Sequence, residues 1–395
     1  MNAVHKEAQK TQRLYYFDWL RTLAFVFVVL IHCVEMFHDL YQARNAPGLQ
    51  SDALAAFLPA LTQWCMALYF LLAGASTWFA LKRKSPAEFV RERFSRLFTP
   101  LALGFVLLFP LQAYVTMASN NSYQGSLFAF YPYFLGEILL RGKLYLIMLY
   151  IHHLWFLAYL LGFSLLTLPL CLLLRSARGQ TWTACLGNCP GGLLTLAFPL
   201  LLLRLTLLPA FPEYCSLADA SCWLLIYMYG YMLFANSSIQ KMLRQQGRQA
   251  LALSMLCFGT LLALWCMGLL RGELLIPRYT LNSMLYQATQ CIALWSSLIA
   301  MLALGGTYMN RTCPLLKYSS SASFHWYLLH FPIVVISAYY ILRLPLPAWC
   351  AFSLIGASSF LVTFLLADFM ALHRQGLRQV YSSLISFQLA ISLSE

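Results

Sequence analysis

Ten stretches of this chain are apolar for long enough to cross a lipid bilayer, and no other feature narrows its possible folds as much. At 1.5 Å of rise per residue, a helix needs about 20 apolar residues to cross a hydrocarbon layer about 30 Å thick. Such stretches fall at 19–37, 55–81, 97–118, 146–174, 191–209, 217–235, 250–270, 281–304, 319–342 and 347–370. Backbone N–H and C=O groups in hydrocarbon must be bonded inside the protein, and runs of this length achieve that as helices. Of the 395 residues 61% are hydrophobic and 10% charged, against about 25% charged in an average soluble protein, so a soluble globular fold is excluded. The expected fold is all-α, a polytopic transmembrane helical bundle of about ten spans in contact with the lipid bilayer. Residues 1–18 form an N-terminal segment, 19–370 one membrane domain and 371–395 a tail, because no polar stretch is long enough to fold alone.

The formal net charge is +13, and its distribution separates topology from nucleic-acid binding. With ten spans both termini lie on one side. The connections on that side carry eighteen Lys and Arg residues, six of them in 82–96, against six on the other side. By the positive-inside rule both termini are cytoplasmic, and the basicity needs no nucleic-acid partner. The first thirteen residues run into an apolar stretch with no small-residue cleavage site after it, which reads as a retained first span. The twelve cysteines form no CxxC pair. Cys185 and Cys189 lack nearby histidines, so no metal is expected; Cys215 and Cys222, near an outer loop, are a candidate disulfide pair. Ser85, Pro86 and Glu88 have the spacing of a capping box, predicting a helix at the inner surface that leads into the third span. The outer connection 119–145 is aromatic enough to sit at headgroup level and cover an outer opening, with Glu137 solvated. Glu213 is likewise expected in solvent.

Ionisable groups inside spans cost at least about 2.5–3.5 kcal/mol on insertion scales, so they are the first places to look for function. At 100° per residue, Asp18, Arg21, His32 and Glu35 project from one stripe of the first span, roughly 100° wide. Arg21 and His32 are eleven residues apart, about 16 Å along a helix axis. Taken alone, Asp18 and Arg21 read as an interfacial ion pair, and His32 as a group bonded to a neighbouring helix. His153 and His330, however, fall at a similar outer-half depth in other spans. Arg204 and Asp368 read as packing or helix-end charges.

These residues sit in recognisable strings. Tyr16-Phe17-Asp18-Trp19-Leu20-Arg21, then ten residues and His32, gives R-x10-H. Arg93-Phe94-Ser95-Arg96 precedes Pro100, His153-Leu154-Trp155-Phe156-Leu157 opens the fourth span, and Ser323, Tyr327, His330 and Pro332 share the ninth. In this order they resemble the signature elements of the integral-membrane acyltransferases of the acyltransferase 3 family. The H-L-W-F-L form looks most like the branch containing glucan biosynthesis protein C, a succinyl transferase acting on periplasmic glucans. Where that family usually has Ser-Gly at the end of the second span, this chain has Ala73-Gly74, which keeps the glycine for close packing and loses the hydroxyl.

The resemblance implies a multi-pass protein of the plasma (inner) membrane. It would move an acetyl or succinyl group from cytoplasmic acyl-CoA, with acetyl-CoA or succinyl-CoA as co-substrate and no metal, to a hydroxyl of a glycan or lipid-linked acceptor. Arg21, Arg93 and Arg96 would hold the phosphates or pantetheine carbonyls, and Asp18 would fix Arg21. His32 would be the general base, and His153 or His330 would stabilise the thioester oxyanion or orient the acceptor. Glu35, Trp155 and Tyr327 complete the candidate substrate-binding set, and self-association into a homo-oligomer is left open. The rival reading is a secondary transporter or flippase using Asp18, His32 and Glu35 as a proton relay. The topology is testable by itself: a C-terminal green fluorescent protein fusion should fluoresce and a C-terminal alkaline phosphatase fusion should be inactive. The opposite pattern would reverse the orientation.

Overall fold

In a computed structural model of the protein, which describes residues 14–42, 52–119, 122–142, 152–186, 191–213, 215–270 and 276–392, every regular element is helical. Lys6, Lys10, Arg13, Arg44, Lys143, Cys189, Arg271 and the start of the fourth expected span at 146–151 lie outside the described residues. The first helices are α1 (Tyr15–Gln42), α2 (Asp52–Leu81), α3 (Pro86–Arg93), a π-helical turn (Phe94–Phe98), α4 (Thr99–Leu107), α5 (Phe109–Ser119) and α6 (Leu127–Leu139). After a 3-10 turn (His152–Leu154) come α7 (Trp155–Leu166), α8 (Leu168–Arg175) and α9 (Ala177–Leu186). A second 3-10 turn (Gly192–Leu196) leads to α10 (Ala197–Leu207), α11 (Leu217–Ala235), α12 (Ser237–Cys266), α13 (Leu281–Tyr308), α14 (Pro314–Ile341) and α15 (Ala348–Ser392).

Eight helical runs among the described residues are long and apolar enough to cross a membrane: α1, α2, the run Pro86–Ser119, α11, α12, α13, α14 and the Ala348–Ala371 part of α15. The pair α7 and α8 qualifies jointly but is bent by 50°. Pro169, in the first turn of α8, has no N–H to bond the carbonyl four residues back, which accounts for the break. The stretch expected to cross at 191–209 is a shorter apolar helix, Gly192–Leu207.

Local chemistry sets several of these boundaries. The Ser85 hydroxyl accepts from Glu88 N and the Glu88 carboxylate accepts from Ser85 N, the capping box read from sequence. The helix it starts continues into the third span through the π turn. Pro100 leaves the Arg96 carbonyl without its usual donor just where the helix widens. The connection 119–145 holds α6, whose Ser126 side chain caps Ala129 N. Tyr114, Tyr123, Phe130, Tyr133 and Phe134 form a run of ring contacts there. One expectation is corrected. Glu137 is buried, not solvated, and pairs with Arg141 at 2.6 Å, because α6 folds the connection back onto apolar side chains. Cys215 and Cys222 are free thiols, with Cys215 N bonded to the Asp219 carboxylate. Glu213 is exposed, as expected.

The chain divides into two compact units. The first comprises Met1–Ala24, Ser51–Leu97 and Leu157–Lys317. Its tightest seam joins α2 to α11 through a reciprocal glycine pair. A Cβ on Gly74 would lie 1.8 Å from the Tyr227 carbonyl oxygen, and one on Gly230 would lie 1.9 Å from that of Leu71. Backbone meets backbone at both positions, so the glycine kept at position 74 is a packing requirement. Elsewhere in this unit Trp295 is fully buried and donates to Leu193 O, while Arg204 binds Gln287 and Gln290, the packing role expected of it. The second unit comprises Phe25–Gln50, Phe98–Phe156 and Tyr318–Glu395. Its core is built from α1, α14 and α15 around Phe25, Trp326 and Ile355, with further clusters joining α5 to α6 and to the middle of α14. Replacing Gly74 with Ala should destabilise the protein by at least about 1–3 kcal/mol, seen as a lower unfolding midpoint in detergent. Gly162→Ala, where nothing lies within 4 Å of the added carbon, serves as control and should be near neutral. Equal midpoints for the two variants would refute the seam.

Candidate functional site

The sequence-predicted residues gather in two groups, one in each unit. In the first unit the Arg21 guanidinium lies 3.6 Å from Asp18 and donates to Ser76 Oγ at 2.8 Å. Arg93 donates to Thr77 Oγ1 at 3.0 Å and lies over the Phe89 ring. Thr77 Oγ1 is also 2.6 Å from the Tyr227 hydroxyl. Adjacent hydroxyls on α2 therefore hold the two arginines of the expected anion-binding set. They lie just beyond Gly74, two and three positions on. The sequence pattern singles out the hydroxyl missing at position 73, whereas the pair that follows gains its meaning only from the fold. No carboxylate lies within ion-pair distance of Arg93 among the described residues. Arg96 differs: it is largely exposed and pairs with Glu92, which Lys84 also contacts. The structure thus separates Arg96 from the hydroxyl-held pair.

In the second unit the three candidate histidines converge. The His330 ring centroid is 5.5 Å from that of His32 and 5.2 Å from that of His153. Phe331 packs against both outer rings, edge-on to His32 and stacked on His153. Sequence placed these histidines at one depth, and the structure brings them into contact through α1, the 3-10 turn His152–Leu154 and α14.

The hydrogen bonds fix which nitrogen of each ring carries a proton. Nδ1 of His330 faces the carbonyls of Tyr327 (2.6 Å) and Trp326 (3.2 Å). Carbonyls only accept, so Nδ1 holds the hydrogen and Nε2 presents a lone pair. That nitrogen is fully buried with no hydrogen-bond partner among the described residues. His32 Nδ1 is 2.8 Å from a Glu35 carboxylate oxygen, which likewise places the hydrogen on Nδ1 and leaves Nε2 basic. Glu35, one of the candidate substrate-binding residues, thus lies one helical turn from His32 with its carboxylate against Nδ1.

His153 is bonded differently. Pro332 has no N–H for the carbonyl of Leu328, four residues back in α14, and a lone buried carbonyl is costly. His153 Nε2 donates to that carbonyl at 3.1 Å. In return the Tyr327 hydroxyl donates to His153 O. Tyr327, a candidate substrate-binding residue, is thereby tied to His153 through its hydroxyl. Trp155 is buried, with its ring edge-to-face on Phe156, which packs in turn on Tyr327. Both therefore support the histidine group from behind.

A family model described as an acyltransferase domain, acyltransferase 3, matches residues 14–368. No curated protein and no solved structure matches the chain.

The clamp makes a double-mutant prediction. His153→Leu should cost about 1–3 kcal/mol by stripping the donor from the buried Leu328 carbonyl. Adding Pro332→Ala supplies a helical N–H and should recover much of that loss in thermal unfolding. Strictly additive losses would exclude the pairing.

Proposed function

Because the chain belongs to the acyltransferase 3 family and is a membrane-embedded acyltransferase, we propose that its donor is acyl-CoA and its acceptor a hydroxyl on the far side of the membrane. The acyl group is acetyl or succinyl, and the acceptor is a glycan or lipid-linked sugar reached from the outer side of the plasma membrane. The branch containing glucan biosynthesis protein C is the part of the family the motifs favour. The observation that carries this reading is the His32–Glu35 pair, with a second imidazole in ring contact.

An alcohol is a poor nucleophile at neutral pH and needs a base within hydrogen-bond reach. His32 fits because Glu35 holds its Nδ1–H and so keeps Nε2 free and basic, while stabilising the imidazolium that forms. In the proposed step, Nε2 takes the proton of the acceptor hydroxyl as its oxygen bonds to the thioester carbonyl carbon. The tetrahedral intermediate then collapses with rupture of the C–S bond, and the departing CoA thiolate receives the proton from His32. His330, protonated at Nδ1, has only a lone pair at Nε2. It accepts a hydrogen bond from the acceptor and does not donate to an oxyanion. His153 keeps the α14 backbone in place behind them. Arg21 and Arg93, oriented by Ser76 and Thr77, are suited to bind phosphate or amide oxygens of CoA. Arg96, exposed beside Glu92, contributes to anion attraction near the surface.

The test is acyl transfer from radiolabelled acetyl-CoA and succinyl-CoA in membrane vesicles, followed by separation of glycan and lipid fractions. His32→Ala should abolish labelling in a protein that still inserts and folds. Glu35→Gln should lower turnover by roughly 10- to 100-fold with little change in donor affinity. Arg21→Ala should raise the KM for acyl-CoA. Near wild-type turnover in His32→Ala would remove that residue from the chemistry.

A further inference from the structure

A buried carboxamide on α5 has no place in the chemistry above. Gln112 is 1% exposed, and neither Nε2 nor Oε1 has a hydrogen-bond partner among the described residues. Its backbone is helical and satisfied: its N–H bonds Leu108 O, and Thr116 bonds its carbonyl. The side chain alone is left unmet. A primary amide in a dry interior is costly when unpaired, and an apolar residue of the same shape would avoid that cost.

Its position gives the amide a use. At 100° per residue Phe109, Gln112 and Val115 fall within one sector of α5, about 120° wide. Phe109 belongs to the cluster against which Tyr327 and Leu328 pack, and Val115 to the cluster containing Phe331 and Val335. Gln112 thus lies between two residues that face the stretch of α14 carrying His330. The Gln112 carboxamide and His330 Nε2 are among the buried polar functions of this unit that have no hydrogen-bond partner among the described residues.

We propose that Gln112 is an acceptor-binding residue that pairs with two neighbouring hydroxyls of the substrate. Oε1 accepts from one, and Nε2 donates to the next. Both amide functions are unmet, so the partner must donate and accept side by side, which a trans secondary amide such as those of pantetheine, with N–H and C=O pointing opposite ways, does not do. A thioester carbonyl, a carboxylate or a phosphate only accepts, and would leave Oε1 bare. A vicinal diol donates and accepts, as a carboxamide requires. A site built this way rejects an analogue lacking one hydroxyl much more strongly than an apolar pocket does. The assignment rests on the hydroxyl-acceptor reading above and deepens it by naming how the acceptor is read.

The test uses the full chain in lipid nanodiscs, with tritiated octyl β-glucoside and its monodeoxy analogues as probes, and the variants Gln112→Met and Gln112→Glu. Wild type should bind the parent glycoside at least 10-fold better than one of the deoxy analogues. Gln112→Met should weaken binding of the parent by 10- to 100-fold and lose that discrimination. Its unfolding midpoint without glycoside should match or exceed wild type, because an unpaired amide has been replaced by an apolar isostere. Gln112→Glu, without the Nε2 donor, should also lose binding. The proposal is overturned if Gln112→Met binds the parent within twofold of wild type, if its midpoint falls while binding persists, or if wild type binds none of the probes. Gln112-dependent binding without acyl transfer from acetyl-CoA or succinyl-CoA would sink the hydroxyl-acceptor reading and overturn the acceptor role, leaving only the pairing of Gln112 with a diol.

Discussion

Hydrocarbon neither donates nor accepts hydrogen bonds, and the placement of polar side chains throughout this helical chain follows from that constraint. Small hydroxyls meet it locally. Ser164, Thr167, Ser296 and Thr77 each donate to the carbonyl four residues back on their own helix. Larger cationic and aromatic heads cannot turn back so easily and take their partners from elsewhere. Arg21 and Arg93 use hydroxyls on α2, Arg204 uses two glutamines on α13, and His153 uses a carbonyl on α14. Against this background the buried functions of the second unit that find no partner among the described residues, His330 Nε2 and the Gln112 amide among them, stand out.

Proline supplies the acceptors that organise the histidine group. Within an α-helix most interior carbonyls already accept from the backbone four residues on, so an interruption of the ladder leaves one that a distant side chain can take over. Pro332 makes such an interruption at Leu328, and His153 fills it. The H-x-P spacing in α14 and the His153 string are therefore two halves of one contact, with the proline creating the vacancy that the distant histidine occupies. The same logic applies at Pro100, where the helix widens into a π turn beside Arg93 and Arg96. Short motifs scattered over the chain thus have a physical reason to occur together.

What could be read from sequence was what local spacing determines. The capping box at Ser85 and Glu88, the apolar runs, the stripe on α1 and the close packing at Gly74 each depend on residues a few positions apart, or on one missing side chain. What could not be read depends on which helices meet. Ser76 and Thr77 acquire meaning only once α1 and α3 are placed against α2. Glu137 is buried because α6 folds back, which a polar, aromatic connection does not announce. Gln112, one amide in an apolar run, looks like a tolerated exception until its lack of partners is visible. Glu35 lay within the stripe, but the bond to His32 required a rotamer as well as a helical turn. The length of Gly192–Leu207 was misjudged because apolar residues continue past the helix end.

The same hydrogen bonds bear on the choice between an enzyme and a proton-conducting transporter. A relay must receive a proton on one ring nitrogen and release it from the other, so the far nitrogen needs a partner that can take up a proton. At His330 the far partner is a pair of backbone carbonyls, and at His153 the donating nitrogen also faces a carbonyl. A peptide carbonyl does not take up a proton under these conditions, so a proton reaching His330 Nε2 must leave from the same atom. Such an arrangement blocks conduction but suits transfer chemistry, in which a group near the reacting atoms binds a proton and returns it on the same side. His32 alone faces a carboxylate, and Asp18, which would have to continue the chain, is paired with Arg21 in the first unit. The bonding pattern therefore favours a base that works in one place over a wire that runs through three.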